Sequence, residues 1–405
     1  MRHPRITQRA LPYGRPSARP DMSAVASPPD EGGKRHTPER RPTTSPVHAH
    51  DLSLTRPTPI ESDTNANCAC PLLPVCYCRK SMETIDALLA NTERQRRALL
   101  PTPVHELPAL SQRSGCRVFC KRDDLTGFGF GGNKARKLDF LIADALRSGS
   151  DTLLAVGANQ SNFCRIVSAY GSANGMDTHL VLGGQEPAIP TGNLLLDRML
   201  GAQCHHVDSA DWDVWERQAA ALEADLKAQG KAVYRMPIGG STAVGALGYV
   251  AAMSEILDDE QRLGFPFDAI VFASSSAGTQ AGLVVGKTLA NWPGEIAGVS
   301  VAKDSEKLRQ EVFELAQATA ARLGCVVKEQ DVQADDSYLG DGYAHTTAAC
   351  QDAVRYFART SGLFLDYVYT GKAAAALLDW LDTNRFAPGS AILFLHTGGN
   401  VELFA

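Results

Sequence analysis

Residues 129–140, "GFGGNKARKLDF", set Lys134 directly behind two glycines and an asparagine, with Arg136 and Lys137 following. Glycine has no Cβ, so another backbone or a ligand can come close at that point. A lysine held in a pocket near other cations has a lowered pKa and offers a nucleophilic amine. An ordinary helix start with surface lysines would carry the same letters, so this stretch alone does not decide between the two.

Two further stretches could hold anions. "SSSAGTQAG", residues 274–282, follows the β-rich run "AIVFAS". Small residues and hydroxyls at a strand-to-helix junction present backbone N–H groups, and the helix dipole favours negative charge there. The pattern is neither GxxxxGK[ST] nor GxGxxG, so a single phosphate monoester fits better than a nucleotide. A small-residue turn packed close to a sheet is the plainer reading. "VGANQSNFCR", residues 156–165, ends a strand at Gly157 and places Ser161 and Asn162 at the next helix start. Ser161 suits an N-cap, and the same geometry offers donors to a carboxylate. A reactive lysine, a phosphate cradle and a carboxylate cradle together point to pyridoxal 5′-phosphate. Its aldehyde bonds to lysine, its phosphate anchors it, and its ring takes up electrons from an amino-acid carbon.

The elements around these stretches alternate. β-rich runs occur at "RVFCKRD", "TLLAVGA", "HLVLGG", "CHHVD", "AVYRMPIG", "AIVFAS", "IAGVSVA" and "AILFLHTGG". Helical stretches such as "KLDFLIADALRSG", "VWERQAAALEADLKAQG", "SEKLRQEVFELAQATAARLG" and "KAAAALLDWLDTN" lie between them. Such alternation predicts an α/β fold with mostly parallel sheets, which bind ligands at the carboxyl ends of their strands.

The chain has 405 residues, 44% hydrophobic and 21% charged, with a net charge of -5. That is enough for two or three globular domains and does not suggest a nucleic-acid binder. No apolar run approaches the roughly 18 residues that would suggest a membrane span. Residues 1–81 hold 13 of the 22 prolines, 12 Lys/Arg against 7 Asp/Glu, and almost no apolar periodicity. A disordered extension is the expectation there, with no signal-peptide core. Cys68, Cys70, Cys76 and Cys78 crowd into "CACPLLPVCYC", without the usual two-to-four-residue spacer of a zinc site. The other six cysteines are scattered, which points to a reducing, cytosolic setting. Cys164 is expected to be a buried small apolar residue. No metal is assigned, at His205-His206 or elsewhere.

The motifs have a combined resemblance. "KRDDLTGFGFGGNKARKLDFLIADAL", "GANQSN", "TGNLLLDRMLGA", "IGGSTAVGALGYV", "GTQAGL", "YVYTGKA" and "HTGG", in this order, resemble the D-cysteine desulfhydrase / 1-aminocyclopropane-1-carboxylate deaminase family. These are fold-type II pyridoxal-phosphate enzymes, related to the tryptophan synthase β subunit. The resemblance covers about residues 84–405. It implies two open, twisted, mostly parallel-sheet domains, the smaller (about 150–245) inserted within a larger one formed by about 82–149 and 246–405. It implies a homodimer acting on a small amino acid.

Carried over by position, Lys134 matches the Schiff-base lysine and Lys137 a phosphate-contacting lysine. Ser276, Ala277, Gly278 and Thr279 match the phosphate loop, with Ala277 where glycine is common. Ser161 matches a serine over the cofactor that exchanges protons beside the lysine. Asn162 matches a neighbour of the ring hydroxyl and the substrate carboxylate. Tyr343 and Tyr369 match tyrosines facing the substrate. His396 lies beside Thr397, close to the expected ring.

Two positions separate the branches. The deaminases carry Glu where this chain has Thr370 and Leu where it has Thr397; the desulfhydrases carry threonine at both. A carboxylate beside the pyridine nitrogen makes a stronger electron sink than a hydroxyl does, so the threonines favour β-elimination over cyclopropane ring opening. Phe163, Thr242 and Asn400-Val401-Glu402 depart from the usual pattern, on the substrate side. Phe163 removes a polar contact. D-cysteine desulfhydration to pyruvate, sulfide and ammonia is the leading expectation. The alternatives are the cyclopropane deaminase, an L-cysteate sulfo-lyase, an amino-acid racemase and a non-catalytic binding paralogue.

"METIDALLANTERQRRALL" predicts a helix from Met82, where the functional chain is expected to begin. A protein comprising residues 82–405 should therefore keep the solubility and cofactor content of the full chain. Loss of either on purification would contradict this.

Overall fold

The computed structural model describes residues 83–405. The expectations for residues 1–81, including the Cys68–Cys78 cluster, lie outside the described residues. Two sheets carry the chain. The six-stranded sheet runs β1 (Val104–Glu106), β2 (Arg117–Lys121), β10 (Ala391–Leu395), β7 (Ala269–Ser274), β8 (Glu295–Ser300) and β9 (Gln333–Asp335) in spatial order. Only β1 pairs antiparallel. The four-stranded sheet runs β5 (Gln203–Val207), β4 (Asp177–Gly183), β3 (Thr152–Ala158) and β6 (Val233–Met236), all parallel. All eight β-rich runs of the sequence form strands. The three-residue β1 and β9 are too short to give a pattern.

Parallel strands need crossovers, and helices supply them. In chain order the helices are α1 (83–89), α2 (Pro108–Ser114), α3 (Asn133–Arg147), α4 (Asn162–Asn174), α5 (Gly192–Met199), α6 (Trp212–Ala228), α7 (Ala243–Leu263), α8 (Gly278–Ala290), α9 (Ser305–Leu323), α10 (Ala348–Ser361) and α11 (Thr370–Asp382). Small residues let three of them pack backbone to backbone. A Cβ on Gly248 of α7 would lie 2.4 Å from the Arg136 carbonyl of α3, and one on Gly282 of α8 would lie 2.3 Å from the Ala246 carbonyl of α7. The strand β3 is buried along nearly its whole length, as parallel strands covered on both faces must be.

The helix expected from Met82 is shorter than the pattern implied. Residues 83–89 are helical and the chain then leaves the helix. Its backbone is instead strapped to α3: Gln95 N–H donates to the Asp139 carbonyl at 2.8 Å and Arg97 N–H to the Asp139 carboxylate at 2.9 Å. Tertiary acceptors outcompete local helix propensity here.

A buried ionic cluster docks α3. Arg136, 1% exposed, donates from Nε and Nη2 to Asp123 (2.8 and 2.7 Å) and from Nη1 and Nη2 to Glu255 on α7 (2.7 and 2.9 Å). Tyr249 Oη adds a donor to Asp123 at 2.6 Å. Burial alone would push the Asp123 and Glu255 carboxyls up; the Arg136 charge overrides it and holds both below their usual range. A depressed folded-state pKa means stabilisation that is present above about pH 4 and is lost as pH falls through the folded value. Asp123→Ala leaves the guanidinium half paired. It should cost about 3–5 kcal/mol in urea unfolding at pH 7, and the deficit relative to wild type should shrink in acid.

Candidate active site

Lys134 lies in the first turn of α3, and the loop before it fits only glycine. Gly131 and Gly132 have φ of +68° and +108°, and a Cβ on Gly131 would lie 2.3 Å from the Asp124 carbonyl. Asn133 N–H donates to the Thr397 carbonyl at 2.8 Å, tying the turn to the segment after β10. The Lys134 amine donates to Asn133 Oδ1 at 3.1 Å, and Asn133 Nδ2 donates to Thr279 Oγ1 at 3.0 Å. Burial first, then the nearby Arg165 charge, bring the Lys134 amine down to about 8, against the pull of Asp366. About a tenth of the amine is therefore neutral at pH 7, far more than for an ordinary lysine.

Lys134 lines a cleft together with Asn133, Ser161, Asn162 and Phe163. Ser276, Ala277, Thr279, Tyr343, Tyr369 and Thr397 line the same cleft.

The loop after β7 forms one end. Ala277 precedes α8 at φ +66°, ψ -38°, a conformation that glycine adopts freely and alanine does not. Ser241 Oγ donates to Ser276 Oγ at 3.0 Å, and Ser274 Oγ is buried without a partner. Behind the loop sits Lys137, 1% exposed, whose amine has one acceptor, the Gly239 carbonyl at 3.2 Å. Burial, then the neighbouring Lys134, hold its pKa well below the usual amine range. A Cβ on Gly278 would lie 2.6 Å from the Lys137 amine.

The N-terminus of α4 forms a second wall. Ser161 is the N-cap, its Oγ accepting from Cys164 N–H at 3.2 Å. Asn162 Oδ1 accepts from Arg165 Nη1 at 2.9 Å and from Asn193 Nδ2 at 3.2 Å. With its oxygen engaged on the protein side, Asn162 presents its NH₂ donors to the cleft. Phe163 touches the cleft but is 2% exposed, its ring edge against Gly240. It belongs as much to the core around Leu141 and Ile166 as to the cleft.

The third wall is aromatic. Tyr343 and Tyr369 hydroxyls lie 2.6 Å apart. Burial pushes Tyr343 up to about 12 and Tyr369 well above its usual value, so both are neutral phenols. Trp212, from the first turn of α6, meets Tyr343 edge-on at 5.5 Å. Trp212 and Trp215 both line the cleft.

Other expected positions fall elsewhere. Thr370 is fully buried and absent from the lining; its Oγ1 donates to Asp366 Oδ1 at 2.6 Å. Of the two branch-separating threonines, the structure brings only Thr397 to the cleft. His396 is buried outside the lining, with Nε2 3.1 Å from the Phe364 carbonyl. Cys164 is fully buried, and burial pushes its thiol far up.

The fit to pyridoxal phosphate can be judged from these residues. Lys137 is a buried amine bonded to a single carbonyl, at a glycine cradle that any side chain would fill. A bound anion would supply the counter-charge that restores its protonated form. The Lys134 amine opens into the same cleft. Residues 96–398 match the family described as "Pyridoxal-phosphate dependent enzyme".

The chain belongs to this family. It is a pyridoxal-phosphate dependent enzyme. The chain is 40% identical over 312 residues to the D-cysteine desulfhydrase of Salmonella typhi, covering 75% of this chain and 93% of the relative. A solved structure described as an ACC deaminase homologue matches at 36% identity with a TM-score of 0.74, covering 79% of this chain and 96% of the other. A pyridoxal 5′-phosphate-dependent aspartate racemase, at 15% identity and a TM-score of 0.57, shares the fold. The two mostly parallel sheets agree with that fold. Among the described residues no helix is long and apolar enough to cross a membrane.

The sequence reading missed Asn133 as the link between Lys134 and Thr279, and it missed Trp212 and Trp215. Asn133 could have been found from its place in "GGNK". The tryptophans give no local signal, because α6 reaches the cleft only through the tertiary fold.

Two substitutions in the phosphate loop should separate strain from fit. Gly278→Ala should weaken cofactor binding at least about tenfold by equilibrium dialysis, since its methyl meets the Lys137 amine and Ser241. Ala277→Gly should retain the cofactor and raise stability by about 1 kcal/mol in urea unfolding.

Proposed function

We propose that the protein is a β-elimination lyase for a small amino acid with a neutral sulfur leaving group, D-cysteine foremost. The observation that carries this is the cleft itself: Lys134, Ser161, Asn162 and the paired tyrosines line one space with the phosphate-loop residues. When bound, pyridoxal phosphate supplies a conjugated ring that accepts the electron pair left at the α-carbon.

The chain's residues do the rest. The loop of Ser276, Ala277, Gly278 and Thr279, with Lys137 behind it, holds the phosphate. Lys134 holds the cofactor at rest and, as a free amine, takes the α-proton. Ser161 stands beside it at the helix N-terminus and relays that proton. Asn162 offers NH₂ donors to the substrate carboxylate. The tyrosine pair, neutral and mutually bonded, passes a proton to the sulfur as the Cβ–S bond breaks with its electron pair on sulfur. Released 2-aminoacrylate takes up water and yields pyruvate and ammonia, so one substrate and one water account for all the products.

The lining favours this leaving group. Among the described residues, Lys134 is the one charged side chain that lines the cleft. A sulfonate or a side-chain carboxylate would need a further cation, because an unpaired charge in such a wall is costly. A thiol needs none, and sulfur packs well against aromatic rings. This places L-cysteate and dicarboxylic substrates below D-cysteine. Ring opening of the cyclopropane amino acid remains the second reading, favoured by the likeness to the ACC deaminase homologue. The same reading has the enzyme act as a cytoplasmic homodimer. Exposed Phe130, Phe364 and Leu99 are consistent with a covered surface.

The test is a substrate panel of D- and L-cysteine, L-cysteate, D-serine and the cyclopropane amino acid, scored for keto acid, sulfide and ammonia. D-Cysteine should give pyruvate and sulfide fastest. Faster 2-oxobutanoate from the cyclopropane would reverse the order of the two readings. Lys134→Ala should lose at least about a thousandfold in kcat, together with the covalent cofactor adduct that borohydride traps on the wild-type peptide.

A further inference from the structure

We propose that Arg165 is a positioning residue for this reaction: its guanidinium ties the starts of α4 and α5 to the turn before Lys134 and sets an unpaired positive charge beside the Lys134 amine. The proposal rests on the reading of the cleft given above, but its deciding measurement, a titration of the cofactor absorbance, needs no substrate.

Arg165 lies one turn into α4 and is 1% exposed. Its Nη1 donates to Asn162 Oδ1 at 2.9 Å and to Asn193 Oδ1 at 2.5 Å. Its Nη2 donates to the Gly131 carbonyl at 2.7 Å. Asn162 comes from the "GANQSN" stretch, Asn193 from the first turn of α5, and Gly131 from the turn that presents Lys134. One planar group therefore joins three chain segments that are remote in sequence. The fork geometry matters, since a guanidinium offers several donors in fixed directions and an ammonium does not. The clamp also holds the Asn162 amide with its nitrogen toward the cleft. Reversing that amide would set its NH₂ against two donors.

The charge has no bonded carboxylate among the described residues. The nearest acid, Asp197, accepts from Ser168 Oγ at 2.7 Å with one oxygen. Its other oxygen and Arg165 Nε are both buried without partners. Burial pushes Asp197 up to about 7, against Ser168 and Arg165, so it is an incomplete counter-charge near neutrality. Burial lowers the guanidinium to about 10, which leaves it charged there.

The other groups facing Lys134 are Lys137, whose own amine Lys134 holds down, and Asp366, which opposes Arg165. Asp366 is already bonded to the N–H groups of Val368, Tyr369 and Thr370 and to Thr370 Oγ1. Its charge is thus spread over four donors. The remaining field at Lys134 favours loss of a proton, as does burial.

The test titrates the cofactor absorbance of the holoenzyme with pH in the wild type, Arg165→Gln and Arg165→Lys. A cation beside the lysine nitrogen disfavours its protonated form, so removing the cation raises the midpoint. Arg165→Gln should shift the midpoint upward by about one pH unit. Arg165→Lys should keep the wild-type midpoint yet lower kcat, because it restores charge without the fork. An unchanged midpoint in Arg165→Gln would overturn the proposal, as would equal shifts in both variants.

Should Arg165→Gln fail to fold, Asn193→Asp keeps an oxygen at the Nη1 contact and sets a carboxylate on the guanidinium. It too should raise the midpoint, and no shift there would overturn the proposal. Absence of any lysine-bound cofactor band in the wild type would instead strike the functional reading, so the two failures are distinct.

Discussion

The site depends on how α3 is held. Successive residues on a helix turn by about 100°, so Lys134 and Lys137 share one face and Arg136 points the other way. Arg136 is driven into the interior, where Asp123 and Glu255 take its charge from two sides. Lys121 extends the cluster to Asp259 at 2.6 Å. A buried guanidinium is tolerable only with near-complete pairing, and that requirement allows α3 little rotation or sliding. The two lysines on the opposite face inherit this precision. The close approach of α7 at Gly248 braces the same turn from behind.

The cleft side of α3 is built on the opposite rule. Lys134, Lys137 and Arg165 are basic side chains whose hydrogen-bond acceptors are neutral oxygens. Asp366 lies behind Gly399, where an added Cβ would meet Oδ1 at 2.4 Å. Beside it, burial first and Asp366 second push Glu402 up to about 9, so Glu402 is neutral at physiological pH. The protein thus keeps acids paired on one face of α3 and leaves bases without a bonded counter-charge on the other. A phosphate ester, carrying more than one negative charge at neutral pH, is the complement this arrangement requires.

What could be read in the sequence follows from the range of the forces involved. Buried parallel strands such as β3 and β10 announce themselves as continuous apolar runs, and all eight β-rich runs form strands. Lys134, Ser161, Asn162 and the loop 276–279 were readable because each sits at a strand-to-helix junction, where local chemistry and local geometry coincide. Tyr343 and Tyr369 were visible only through the resemblance. Trp212, Trp215 and the triple contact of Arg165 were not visible, because they come from pairing segments far apart in the chain. The helix expected from Met82 was overread for the same reason: Asp139, more than forty residues on, captures its backbone.

Thr370 shows how a family match and a physical role can diverge. Its type belongs to the eliminating branch, and the electronic argument needs a hydroxyl at the ring. Its hydroxyl proton, however, is committed to Asp366, and its oxygen accepts from Asp366 N–H at 3.0 Å. The residue therefore acts first on the start of α11, the helix that presents Tyr369 at its N-terminus. A glutamate at this position would bring a second carboxylate against Asp366, in surroundings that already hold Glu402 protonated. Like charges at that distance cannot both ionise in a buried setting. The local acid pair and the threonine are thus mutually consistent, and the hydroxyl left facing the cleft is that of Thr397.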